Sequence, residues 1–222
     1  PVVLPPPTHI LASAFHSIGD LSLPRDLLAT LSRLAQALAI ACAIGVPIGL
    51  FMGLTSAVRD PLAFLTDFLR SIPGTAMIPL FLIFFGIGDA AKVAAGAFAA
   101  ILILSLNTMY GVLRGNLTRR LVARTLRLSP ARTFVLVILP DALPDIFVGL
   151  RLAVSACLVL VVVSEMFVGT TLGMGRRIYD AQLLYKLEDM YTGILVLGVL
   201  GYFLNRIIVR LEARLAHWSS QR

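Results

Sequence analysis

Apolar residues gather along the chain into five runs separated by short polar stretches: Leu27 to Leu54, Ile72 to Ile87, Ala90 to Leu113, Ile146 to Val168 and Tyr191 to Val209. Crossing the hydrocarbon of a bilayer takes about 20 residues of α-helix, and backbone groups in lipid must be satisfied within the segment. Each run therefore predicts a membrane-spanning helix, although the second is short and broken by Pro73 and Pro79. Between the first two runs, Asp60 to Arg70 mixes charged with apolar residues. It predicts a short helix lying along the membrane interface, with Pro61 in its first turn. The fold class is all-α integral membrane, a bundle of about five transmembrane helices over residues 27–222. Residues 1–26 form a separate segment, in which Pro5-Pro6-Pro7 is too stiff for a helix interior and predicts a linker. No charged start leads into an apolar core, so this segment does not read as a signal peptide. The sequence opens on Pro1 and not Met, which reads as a trimmed chain.

Composition agrees. Of 222 residues, 58% are hydrophobic and 14% charged, with a mean hydropathy of +0.90. Soluble domains are about one quarter charged, so this chain has too few polar side chains to cover a surface in water. The net charge of +7 does not call for nucleic acid, because membrane proteins keep excess Lys and Arg on cytoplasmic loops. With the N-terminus outside, Arg25, Arg33, Lys92, Arg176, Arg177 and Lys186 lie on the outer side. The other thirteen of the 19 Lys and Arg, including Arg59, Arg70 and Arg222, lie on the inner side. That asymmetry makes residues 1–26 extracytoplasmic and the C-terminus cytoplasmic. Cys42 and Cys157 both fall inside apolar runs and carry no assigned role.

The stretch of about 114–145 is too polar for lipid and too patterned for a slack linker. Ser129-Pro130 is a helix start, a hydroxyl cap followed by proline where a missing N–H costs nothing. Pro140 and Pro144 are expected to stop that helix. The loop thus predicts two short helices, Asn116 to Leu128 and Pro130 to Leu139. At about 100° per residue, Arg120, Arg124 and Arg127 share one face of the first, with Leu117, Leu121 and Leu128 beside them. Two readings are open: the arginines touch anionic lipid headgroups, or the helix enters a groove that is partly acidic and partly apolar.

Ala123-Arg124-Thr125-Leu126, then Ser129, then Val137-Ile138-Leu139-Pro140 and Leu143-Pro144 resemble the "EAA" loop of ABC importer permeases. The resemblance extends to Arg70-Ser71-Ile72-Pro73, Pro79-Leu80, Phe85-Gly86-Ile87-Gly88, Gly149-Leu150-Arg151, Ser164-Glu165-Met166 and Leu172-Gly173-Met174-Gly175. These are similar to the branch importing nitrate, bicarbonate, taurine and alkanesulfonates. The chain departs from the loop consensus, with Leu121 at the Glu, Val122 at the first Ala and Arg127 at the Gly, so the bend is expected at Leu128-Ser129-Pro130. The family usually carries one more span before the Leu4-Pro5 region.

The resemblance implies a type I importer permease in the bacterial inner membrane. It implies two ABC ATPase subunits, a second permease chain that is identical or homologous, and a periplasmic or lipid-anchored solute-binding protein. Leu117, Arg120, Leu121, Ala123, Arg124, Arg127, Leu128, Ser129, Leu139 and Pro140 would then meet the ATPase. The chain itself would not be an enzyme and would hold no cofactor or metal. No G-x-x-x-x-G-K-[ST] loop is present to cradle ATP phosphates, and His9, His16 and His217 lie outside the apolar runs.

Few ionisable or polar residues fall inside the spans. Glu165 is a lone carboxylate near the end of the fourth run, where function and a hydrogen bond to a neighbouring helix are both open readings. Arg33 is expected to snorkel to the outer headgroups, with anion binding as the alternative. Asn107, Thr108 and Tyr110 could line a path or join helices. Gly45, Gly49 and Gly53 form two overlapping G-x-x-x-G steps that allow close helix approach, and Pro47 is expected to kink that helix. The loop Gly169 to Met190 could meet a binding protein. A secondary transporter or another polytopic membrane protein is the alternative, but it would show internal repeats and several embedded charges.

Overall fold

The computed structural model describes residues 5–169 and 171–216; His217 and Arg222 lie outside them. Among the described residues, ten α-helices follow one another: α1 Pro7–Gly19, α2 Ser22–Leu54, α3 Ser56–Ser71, α4 Ile78–Phe85, α5 Asp89–Arg114, α6 Leu117–Thr125, α7 Pro130–Thr133, α8 Leu139–Phe167, α9 Met174–Leu183 and α10 Leu187–Leu215. Helices α2, α5, α8 (continuous with α7) and α10 are each long and apolar enough to cross a membrane; α3 and α4 make a fifth crossing only if that bent pair counts as one.

The centre is a three-helix sandwich in which α5 lies between α2 and α8, with Leu34, Ala37, Ala100, Leu104, Cys157 and Val161 buried among them. Small residues make this possible, because lipid supplies little hydrophobic drive and helices hold by close contact. A Cβ on Gly49 would come 2.3 Å from the Ser105 carbonyl oxygen, and one on Gly53 would come 2.5 Å from Val112 Cβ. Gly45 faces the Ile101 carbonyl in the same way at 3.0 Å. Helix α10 stays peripheral and buries only Thr192, Gly193 and Ile208.

The structure differs from the sequence pattern in several places. Pro7 opens a helix instead of ending a linker, since its fixed φ suits the first turn. That helix docks on α10, where the Ser13 hydroxyl donates to Asp189 at 2.6 Å and Thr192 Oγ1 donates to the Ile10 carbonyl at 3.0 Å. Helix α3 begins earlier than expected, at Ser56, leaving Pro61 inside it. Arg59 folds back onto the carbonyls of Met52 (3.2 Å) and Gly53 (3.1 Å), closing the end of α2. The second apolar run is no straight span. Pro73 and a tight turn at Gly74–Met77 set α3 and α4 at 90°. Nor do Pro140 and Pro144 stop a helix. A wide turn at Phe134–Ile138 carries α7 into α8, Pro140 falls in the first turn and Pro144 is absorbed inside.

Candidate functional site

Among the described residues, polar side chains converge at three places. The first is the end of the bundle that carries α6. The Asn116 side chain accepts the amides of Thr118 (2.9 Å) and Arg119 (3.3 Å), capping α6. Asp141, buried in the first turn of α8, accepts the Asn116 amide at 3.1 Å and Arg119 Nη1 at 2.5 Å. A buried carboxylate persists only when paired and hydrogen-bonded, so Asp141 fastens α6 to α8. Arg120 turns inward and donates to the Val112 carbonyl in the last turn of α5. It therefore leaves the arginine edge that the sequence pattern draws with Arg124 and Arg127.

Helix α6 is also shorter than expected, and the bend falls at Arg127 itself, where φ is 52°. The Leu128 amide bonds the Ala123 carbonyl at 3.0 Å and the Arg127 amide bonds that of Arg124 at 2.9 Å. Arg127 thus occupies the left-handed cap position that glycine normally fills. Ala123 is buried beneath the helix, Leu128 is half-buried, Ser129 Oγ accepts the Arg132 amide at 3.4 Å, and Leu139 and Pro140 are half-buried at the start of α8. The open face carries Leu117, 73% exposed, and Leu121, 59% exposed, with Arg124 and Leu126 beside them.

The second place is the opposite end. Glu165 is fully enclosed and accepts Arg33 Nη1 at 2.7 Å, Thr30 Oγ1 at 2.9 Å and the Gly175 amide at 2.9 Å. Thr30 Oγ1 in turn accepts the Met174 amide, and Asp26 accepts the Gly173 amide, both at 2.9 Å. The unpaired amides at the start of α9 are therefore met by acceptors from α2 and α8, where negative charge also suits the helix dipole. Glycine is required here: Gly173 has φ 139°, and a Cβ on Gly175 would lie 2.2 Å from the Val162 carbonyl oxygen. Arg33 does not snorkel. Its side chain is 5% exposed, because Asp89 (2.9 Å), Glu165 and the Leu172 carbonyl (2.9 Å) hold it between helices. Arg177 is likewise turned inward, onto Ser17, Ser22 and Asp26.

The third place is a groove between α5 and α8, made of two adjoining cavities of about 420 and 430 Å³. Arg70, at the end of α3, borders both, and Asn107 borders the second. Thr108 is buried against Gly49, while Tyr110 is exposed. Of the four candidate path residues Arg33, Asn107, Thr108 and Glu165, Asn107 alone reaches this groove.

Asp141, Thr30, Asp26, Asp89 and the groove position of Arg70 do not emerge from the sequence pattern. Asp141 carries a local signal, a carboxylate directly after Leu139-Pro140. The others depend on contacts between residues far apart in the chain, which no local pattern encodes.

A profile of the family described as "Binding-protein-dependent transport system inner membrane component" matches residues 45–217. The chain is 30% identical over 226 residues to the taurine transport system permease protein of Escherichia coli (strain K12), covering 100% of the chain and 82% of that protein. It is 31% identical over 185 residues to the bicarbonate transport system permease protein of Synechococcus elongatus (strain ATCC 33912 / PCC 7942 / FACHB-805), covering 83% of the chain and 66% of the relative. Its fold matches a chain in an inward-facing structure of the MetNI methionine ABC transporter, with a TM-score of 0.79 and 20% identity over 88% of this chain and 96% of that one.

Proposed function

Since the chain belongs to the family of inner-membrane components of binding-protein-dependent transport systems and is an ABC importer permease subunit, we propose that it conducts a small oxyanion or sulfonate. The solute arrives from a binding protein, and partner ATPases drive the cycle through α6. The observation that carries the coupling reading is the build of α6. Asp141 grips the Arg119 side chain and the Asn116 amide, which ties one face of the helix to α8. Leu117 and Leu121 meanwhile project into the open. A firmly held helix that exposes large apolar side chains is built to be covered by a partner.

The remaining parts of the reading follow from symmetry and charge. ATPase pairs are two-fold symmetric, so a second permease chain, identical or homologous, completes the assembly. The excess of Lys and Arg at the α6 end supports a cytoplasmic position for that end and an outer one for α9. The exposed Leu184 and Tyr185 after α9 then face the binding protein. The anion reading draws on the solutes named for the taurine and bicarbonate relatives. Uptake by the reconstituted transporter tests it, with nitrate, bicarbonate, taurine and a neutral amide offered in parallel. Saturable, ATP-dependent uptake of nitrate, bicarbonate or the sulfonate-bearing zwitterion taurine is expected; uptake of the neutral amide alone would refute it.

A further inference from the structure

We propose that Arg70 is the selectivity cation of the permeation path, a weak site for a small oxyanion or sulfonate in the groove between α5 and α8; this rests on the anion reading above. Ile103, which lines both cavities with Arg70, is fourteen residues from Asp89 and eleven from Arg114, the two ends of α5. At 1.5 Å per residue the groove beside Arg70 therefore lies about 21 Å from one end of α5 and about 17 Å from the other. The end of α3 thus reaches mid-span instead of resting along the interface, and Arg70 does not belong with the inner-side cations where the sequence count puts it. A charge at that depth is costly and persists only beside water, protein or a counter-ion.

The fold holds it there. The turn after Pro73 presses on α8, where a Cβ on Gly74 would lie 2.8 Å from Leu160 Cδ1. The end of α3 is thereby pinned over the groove. Arg33 and Lys92 are enclosed and paired with carboxylates, but the Arg70 side chain is 52% exposed. Its carboxylate neighbour, Asp67, stands 3.6 Å away and is itself 64% exposed. An exposed pair of this kind is weak, and an arriving anion can displace it.

Among the described residues lining the two cavities, Arg70 is the charged one; Thr75, Asn107 and Ser155 are neutral and polar, and the others are chiefly apolar. One positive charge between low-dielectric walls raises the local anion concentration. Few neutral partners keep binding loose, and a conducting site must release what it admits.

The test uses the complete transporter in nanodiscs. Ser155→Cys places a thiol on the groove wall, and its modification is timed with anionic sulfonatoethyl and cationic trimethylammonioethyl methanethiosulfonate. The parent chain, with its own Cys42 and Cys157, is the blank. The anionic-to-cationic rate ratio cancels changes in thiol reactivity. It should fall about fivefold or more in Arg70→Gln, the effect of one charge through a watery groove, and be kept in Arg70→Lys. An unchanged ratio in Arg70→Gln overturns the proposal, and so does a thiol that neither reagent reaches, which would mean the groove is closed to water. Uptake separates the two claims. Normal nitrate and taurine uptake by Arg70→Gln overturns the role of Arg70 alone, whereas wild-type uptake of only a neutral solute overturns the anion reading and this proposal together.

Discussion

Glu165→Ala removes the acceptor shared by Arg33, Thr30 and the start of α9, and the contacts set the size of the effect. Breaking a buried ion pair by deleting one partner costs about 3–5 kcal/mol, because a charge is left behind. Arg33 keeps Asp89 and the Leu172 carbonyl, so the low end, about 3 kcal/mol, is expected. For a chain of this length that corresponds to a fall of about 6–12 °C in the unfolding midpoint. Glu165→Gln keeps the volume and one carbonyl acceptor, and should cost about 1–3 kcal/mol. Arg33→Met combined with Glu165→Gln should recover part of the Arg33→Met loss, since the two sites are coupled. The assay is thermal unfolding of the purified transporter at fixed scan rate, run beside uptake in vesicles. Of the two readings the sequence leaves open, the functional one predicts lost transport with intact assembly, as for a lone carboxylate at membrane depth. The enclosed geometry predicts the reverse order, stability failing first. An unshifted midpoint in Glu165→Ala together with abolished uptake would refute the structural role.

Three further outcomes can be checked separately. Gly49→Leu should destabilise the bundle by about 1–3 kcal/mol or prevent assembly, because even a Cβ meets the Ser105 carbonyl; an unchanged unfolding midpoint would refute the close α2–α5 contact. Arg127→Gly should leave stability unchanged or raise it by up to about 1 kcal/mol, relieving the left-handed backbone at φ 52°; a clear loss in thermal unfolding would mean that the Arg127 side chain is needed. Leu121→Ala should weaken ATPase retention in pull-downs by about 2 kcal/mol if it anchors the docked face, and Arg124→Glu should also weaken it, with membrane insertion normal in both. Full ATPase recovery with both variants would sink the coupling role of α6.

What the sequence determined was whatever depends on local composition. Runs of apolar residues the length of a bilayer forced the spanning helices, Ser129-Pro130 forced a helix start, and the proline-spaced loop carried the family resemblance. The Gly45, Gly49 and Gly53 spacing marked a face capable of close approach, though not the helix it approaches. Tertiary structure decided everything that depends on a partner far along the chain. Arg33 and Glu165 are separated by 132 residues, and only folding reveals that each is the other's counter-charge. Arg120 and Arg124 are equivalent on a helical wheel, yet one caps α5 while the other stays open. Pro144 reads as a helix stop, but α8 runs through it from Leu139 to Phe167, where packing on neighbouring helices outweighs the lost backbone bond. Arg127 shows the same limit, since a non-glycine residue takes a left-handed turn when the bonds around it outweigh a local cost of about 1–2 kcal/mol. Local propensity is worth about 0.7 kcal/mol or less for an ordinary residue, and the packing and pairing of buried groups, settled only in three dimensions, are worth more.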